Sequence, residues 1–147
     1  MSLHTKVFDV QDAIVTALQA AAGLSGWTVC FGLPVRRDEL HVWVDEQVSQ
    51  WKQDQQTTGT QSKLENFQLH AYVYVRHSGA TAQEIRDEAK AAGAIVEQTI
   101  GGSPILGGLA LMAEISGGEY DGAFADPEGR AREGALHLVI DVQTFIA

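Results

Sequence analysis

Five histidines, one cysteine and nineteen acidic residues give this 147-residue chain the raw material for metal binding or acid–base chemistry. Their spacing argues against both. His41 and Asp45 share one face of an alternating segment, and so do His137 and Asp141. Residues four apart on a strand are about 13 Å apart at ~3.3 Å per residue, too far to ligate one ion together. A metal site would need neighbouring strands to bring His41, His70 and His137 together, and histidines on the polar face of strands are more often ordinary surface residues. The expectation is no metal and no cofactor.

The nucleophile motifs fail in the same way. Cys30 alternates with Val29 and Phe31 in a short apolar segment, and no motif sets a base beside it, so it reads as an inert thiol. Gly23-Leu24-Ser25-Gly26 lacks the last glycine of a Gly-x-Ser-x-Gly elbow and follows a helix, whereas that elbow follows a strand. The glycine pairs Gly101-Gly102 and Gly107-Gly108 come after a helix, the reverse of a loop that opens one on a phosphate. The acidic run from Glu119 to Gly129 has no Asp-x-Asp-x-Asp-Gly ladder and reads as a solvated loop, not a calcium site. No nucleophile, base and orienter can be assembled, so no catalytic residue is assigned and the chain does not read as an enzyme.

Composition narrows the remaining classes. The length fits one domain, 1–147, with a core that needs no disulfide. A single cysteine and the lack of a charged segment followed by an apolar leader point to a reducing, cytosolic origin, and no apolar run reaches the ~18 residues of a membrane span. A formal charge of −9 and a pI near 4.8 argue against a protein that grips phosphates. They do not exclude DNA as a neighbour, since a surface past which DNA must slide benefits from repelling it.

The elements that must position these residues follow from periodicity. Val10, Ile14, Ala17, Leu18 and Ala21 mark a first helix, with Asp9 as its expected N-cap and Gly23 as its stop. Three strands follow around Trp27-Val29-Phe31, Leu40-Val42-Val44 and Phe67-Leu69-Ala71-Val73-Val75. Thr81-Ala82-Gln83-Glu84 is a capping-box pattern that opens a second helix, which carries the stripe Ile85, Ala89, Ala92, Val96, Ile100 and ends at Gly101-Gly102-Ser103-Pro104. Leu109 to Ile115 and Leu136 to Ile146 give two more strands, joined by a long loop from Gly117 to Gly134. The order α-β-β-β-α-β-β predicts an α+β domain, a largely antiparallel sheet of about five strands with both helices on one face.

Two further features point toward assembly. A polar stretch, Glu46 to Lys63, lies between the second and third strands as a long insertion, an arm or hairpin tip with Trp51 isolated in it. On the third strand His70, Tyr72, Tyr74 and Arg76 fall opposite the apolar set, and Trp43 also falls on the non-aliphatic face of its strand. Such a face is built either for cross-strand pairing or for contact with a partner.

Taken together, the early helix near Asp9, the polar insertion before Glu65-Asn66-Phe67-Gln68-Leu69-His70-Ala71-Tyr72-Val73, the capped second helix and the final strand Leu136-His137-Leu138-Val139-Ile140-Asp141-Val142 resemble the tail terminator (tail completion) proteins of long-tailed bacteriophages. The resemblance covers nearly the whole chain and rests on architecture, with no catalytic motif behind it. It implies a virion protein in the tail neck, assembled in the host cytoplasm, that caps the head-proximal end of the tail tube as a homo-oligomer, usually a hexameric ring. Its partners would be the tail tube protein and a head-side connector protein, with DNA passing through unbound and no membrane involved. On that reading Trp51, Lys52, Gln55, Gln56 and Lys63 of the insertion arm contact a partner, and Glu119, Asp121, Asp126 and Glu128 face the lumen. The alternatives are another neck protein, a stopper or adaptor, or a small ferredoxin-like enzyme or ligand-binding protein with a pocket between sheet and helices around His41, His70 and Tyr72.

Overall fold

A computed structural model describes residues 4–35, 39–55 and 62–146. The element order is α1 (Val7–Ala20), β1 (Thr28–Phe31), β2 (Leu40–Gln55), β3 (Lys63–Ser78), α2 (Ala82–Gly102), β4 (Met112–Phe124) and β5 (Ala131–Ile146), with short 3-10 turns at Ala22–Leu24 and Leu106–Gly108. This is the expected α+β order. The five strands form one sheet in the spatial order β1-β2-β3-β5-β4, and every neighbouring pair is antiparallel except β1 with β2.

Both helices lie on one face. Val7, Val10, Ile14 and Leu18 of α1 and Ile85, Ala89, Ala92, Val96 and Ile100 of α2 are buried against Val42, Val44, Leu69, Ala71, Val73, Ile140 and Val142. We call this the helix face and the other the open face. Because side chains alternate along a strand, the same register puts His41, Trp43, His70, Tyr72, Tyr74 and His137 on the open face.

The capping box at α2 forms as its sequence predicts: the Glu84 amide donates to Thr81 Oγ1 and the Thr81 amide to Glu84 Oε1, both at 3.1 Å. The start of α1 differs from expectation. The helix begins at Val7, two residues before Asp9, and Asp9 sits in its first turn, where a carboxylate still favours the helix dipole. The Val7 amide donates to Thr5 Oγ1 at 3.1 Å, so Thr5 supplies the contact expected of Asp9.

The two expected loops are mostly strand. The polar insertion continues β2 and β3 as a twisted hairpin that pairs as far as Gln55 with Lys63, broken by register shifts between Val44 and Val48 and between Ser49 and Lys52. Gln50 lies in this irregular stretch with φ 53°, a left-handed conformation rarely held by a residue with a side chain. The segment from Gly117 to Gly134 likewise belongs largely to β4 and β5, and the turn proper spans 125–130. Alternation is faint in both stretches because backbone pairing holds them where the helices cover the sheet only in part.

Candidate functional site

The polar end of the long hairpin is tied down by one carboxylate. Glu65 is fully buried, on the helix-face side of β3. It accepts from Thr5 Oγ1 (2.6 Å), the Lys6 amide (2.9 Å), Trp51 Nε1 (2.9 Å), Gln53 Nε2 (2.7 Å) and Thr144 Oγ1 (3.0 Å). Burial by itself would raise its pKa, but the hydrogen bonds from Thr5, Gln53, the Lys6 amide and Trp51 outweigh it and hold the carboxyl below its ordinary value. Glu65 is therefore an anion solvated by protein donors, and among the described residues it forms no ion pair. It joins the segment before α1, the hairpin, β3 and β5.

The insertion-arm residues sit around this knot. Trp51 is anchored to its own domain through Glu65 and through an edge-on contact with Phe8 at 6.5 Å, yet it remains 41% exposed. Lys52 pairs with Asp54 at 3.7 Å in solvent, and Lys63 Nζ donates to Gln53 Oε1 at 3.5 Å. Gln55 closes β2 opposite Lys63, and Gln56 lies outside the described residues.

The open face carries a row that crosses all five strands: Cys30, Trp43, Tyr72, His137 and Glu119 are successive register partners from β1 to β4. Trp43 stacks on Tyr72 (centroids 5.2 Å) and Tyr72 on His137 (4.6 Å). His137 Nε2 lies 2.8 Å from His70 Nδ1, and His70 Nε2 lies 2.7 Å from Ser49 Oγ. One proton per ring satisfies this chain of hydrogen bonds. Burial first, and the neighbouring His137 second, lower the pKa of His70. Burial, together with the negative charges of Asp45 and Glu119, raises that of Tyr72.

The structure thus brings His70 and His137 together and leaves His41 apart, beyond the stacked Trp43 and Tyr72. Among the described residues no three His, Cys, Asp or Glu side chains are grouped to hold a metal ion. His41, His70 and Tyr72 face away from the helices, so they do not line a pocket between sheet and helices, and that form of the ligand-binding alternative is corrected. His41 Nε2 does lie 3.2 Å from Cys30 Sγ, a pairing the sequence reading missed because it depends on the parallel register of β1 on β2. Neither residue lines the two grooves described next, so the pair has no substrate cleft there.

At the β4 edge the helix face is incompletely covered. A groove of about 430 Å³ runs between α2 and the β4–β5 pair, floored by Ile115, Tyr120, Leu136 and Leu138 and rimmed by Arg86, Lys90 and Glu97. It adjoins a second of about 400 Å³ that shares Arg86 and Tyr120 and adds Arg132 and Glu133. Of the acidic residues expected to face a lumen, Glu119 and Asp121 are exposed on the open face of β4, whereas Asp126 and Glu128 lie in the turn beyond it. Asp126 Oδ1 accepts from the Arg130 and Ala131 amides (2.9 and 3.0 Å) and shapes that turn.

Neither a protein-family model nor a curated protein matches the chain. Among solved structures it is similar to a chain from the virion of a native gene transfer agent (GTA) particle, at 17% identity and a TM-score of 0.52, over 92% of this chain and 93% of that one. At that identity the likeness is one of fold, and it extends across essentially the whole of both chains.

Proposed function

We propose that this chain is a structural protein of a phage-type tailed particle, a terminator that caps the head-proximal end of the tail tube, stops its growth and offers a docking surface to the head-side connector. The observation that carries this reading is the end-to-end fold similarity to a chain of the GTA virion. The molecule's own features support it. Its two long hairpins expose polar side chains such as Lys52, Glu119 and Asp121, and the polar cluster around Glu65 locks elements together.

In this reading six copies close a ring by head-to-tail contacts in which one patch meets a different patch on the next copy. Six chains at −9 carry −54 formal charge, so DNA crosses the ring without adhering. The exposed part of Trp51, with Lys52 and Lys63, contacts the tube or the connector. Glu119 and Asp121 are the acids best placed for a lumen. The reading assigns no catalysis and no cofactor, and it sets the protein in the virion neck.

The test has two parts. Light scattering should find a species near 95 kDa, six copies of 15.9 kDa. Electron microscopy of tail tube protein polymerised with the purified chain should show short tubes closed at one end. Tubes of unaltered length, with binding only to the head-side connector, would replace the terminator with a stopper or adaptor.

A further inference from the structure

Two apolar features lie on opposite edges of the sheet, and they are complementary. The first projects from the β1 edge. Phe31 is 47% exposed, Leu33 59%, and Val35 108%, as open to solvent as a side chain can be. The carboxylate of Glu46 lies against this segment at Gly32, and Glu39 follows it. Arg36, Arg37 and Asp38 lie outside the described residues, and in sequence the four charges from Arg36 to Glu39 cancel. Glu46 therefore sets the sign. The second feature is the groove between α2 and β4–β5, whose apolar floor is rimmed by Arg86 and Lys90 with Glu97 beyond them.

The register places the two at one level. Phe31 pairs with Val44, Val44 with Ala71, Ala71 with Leu138, and Leu138 with Gly118, so the protruding edge and the groove floor share a single row across the sheet. Both Phe31 and Leu138 belong to the helix-face set. Three inter-strand steps of ~4.8 Å separate them by about 14 Å. A copy shifted along that row carries its β1 edge to its neighbour's groove without a change of height or face.

We propose that the groove between α2 and β4–β5 receives the Phe31–Val35 segment of a second copy of this chain, with Glu46 of the inserted copy facing Arg86 and Lys90 of the receiving one. The contact is heterologous, so it propagates from copy to copy and needs a closed ring to leave no free end. It rests on the ring reading above and specifies which surfaces make the ring.

Cysteine pairs test it directly, in a Cys30→Ser background. Mixing a Val35→Cys chain with an Ala94→Cys chain under mild oxidation should give a disulfide dimer, while either chain alone should not. Both substitutions in one chain should give a ladder of oligomers. Val35→Asp alters a fully exposed side chain and should weaken self-association at least tenfold with thermal stability unchanged. Lys90→Glu should do the same, and Glu46→Lys should restore association in the Lys90→Glu chain. An unmodified chain that forms rings while the Val35 and Ala94 positions fail to cross-link, or while Val35→Asp assembles normally, overturns this contact and leaves the ring intact. A chain that stays monomeric at every concentration, with no cross-link, overturns the free ring and this contact with it.

Discussion

Replacing Glu65 by glutamine keeps its volume and removes its charge, and the structure specifies the cost. Five donors converge on two carboxylate oxygens. A carboxamide offers one acceptor oxygen and presents an NH2 group to the others, so at least two donors lose their partner. Thr144 is fully buried and cannot turn to water, whereas Trp51 is 41% exposed and can in part. A hydrogen bond to a charged group contributes about 1.5–3 kcal/mol, and a buried donor left unpaired costs about 1–3 kcal/mol. Discounting the donors that reach solvent, Glu65→Gln should destabilise the fold by about 2–4 kcal/mol, a fall in Tm of roughly 5–12 °C for a domain of this size. The sign of the pH dependence follows from the lowered pKa. The folded state binds the Glu65 proton more weakly than the unfolded chain, so the carboxylate's contribution is complete above the ordinary carboxylate value near 4.5 and is lost as pH falls through the lower folded value. Urea unfolding of both chains from pH 7 down to pH 3, followed by circular dichroism, should therefore show a gap that is widest at neutral pH and narrows below about pH 4.5. A gap under about 0.5 kcal/mol at pH 7, or one that stays constant through acid, would refute the account of Glu65 as an ionised tie.

Neutral His70, hydrogen-bonded to His137 and Ser49 and facing Asp45, should make the fold less stable as pH falls below about 6.5, because the unfolded chain takes up the proton first; His70→Gln should flatten that part of the stability curve, and an unchanged slope counts against the pair. Thr81→Ala removes a formed capping box and should cost about 1 kcal/mol in urea unfolding, with α2 fraying at its start in hydrogen exchange. A Cβ added at Gly118 would stand 2.0 Å from the His137 carbonyl oxygen, so Gly118→Ala should displace β4 and cost about 1–3 kcal/mol, visible as loss of amide protection confined to β4.

The helices and the core strands were legible because their signals are local. The stripe from Ile85 to Ile100 and the Thr81–Glu84 box name α2 without any knowledge of its neighbours, and the alternation from Phe67 to Val75 names the central strand. The ends of the hairpins were not legible. From Val48 to Gln55 and from Gly117 to Phe124, strand structure is imposed by a partner strand, and the side chains there answer mostly to solvent. The parallel pairing of β1 with β2 was hidden for the same reason, and with it the Cys30–His41 contact. The role of Glu65 is equally hidden, since nothing in Leu64-Glu65-Asn66 tells that its donors arrive from 12 to 79 residues away. The acid at an inward position of an otherwise alternating strand was the one available hint.

The order of the strands also governs how the chain reaches its native state. β3, the central strand, takes one partner from the hairpin immediately before it and the other, β5, from across α2 and β4, with Leu64 opposite Phe145 and His70 opposite Val139. During synthesis the β2–β3 hairpin and α2 can collapse together while one side of β3, with the amides and carbonyls of alternate residues along a 16-residue strand unsatisfied, still waits for Ala131–Ile146. Loops of that length close late, so the sheet is completed in a slow final step. Until then the nascent chain offers neighbouring copies a bare strand before it offers them a finished surface, and crowding at that moment selects between misassembly and the native fold.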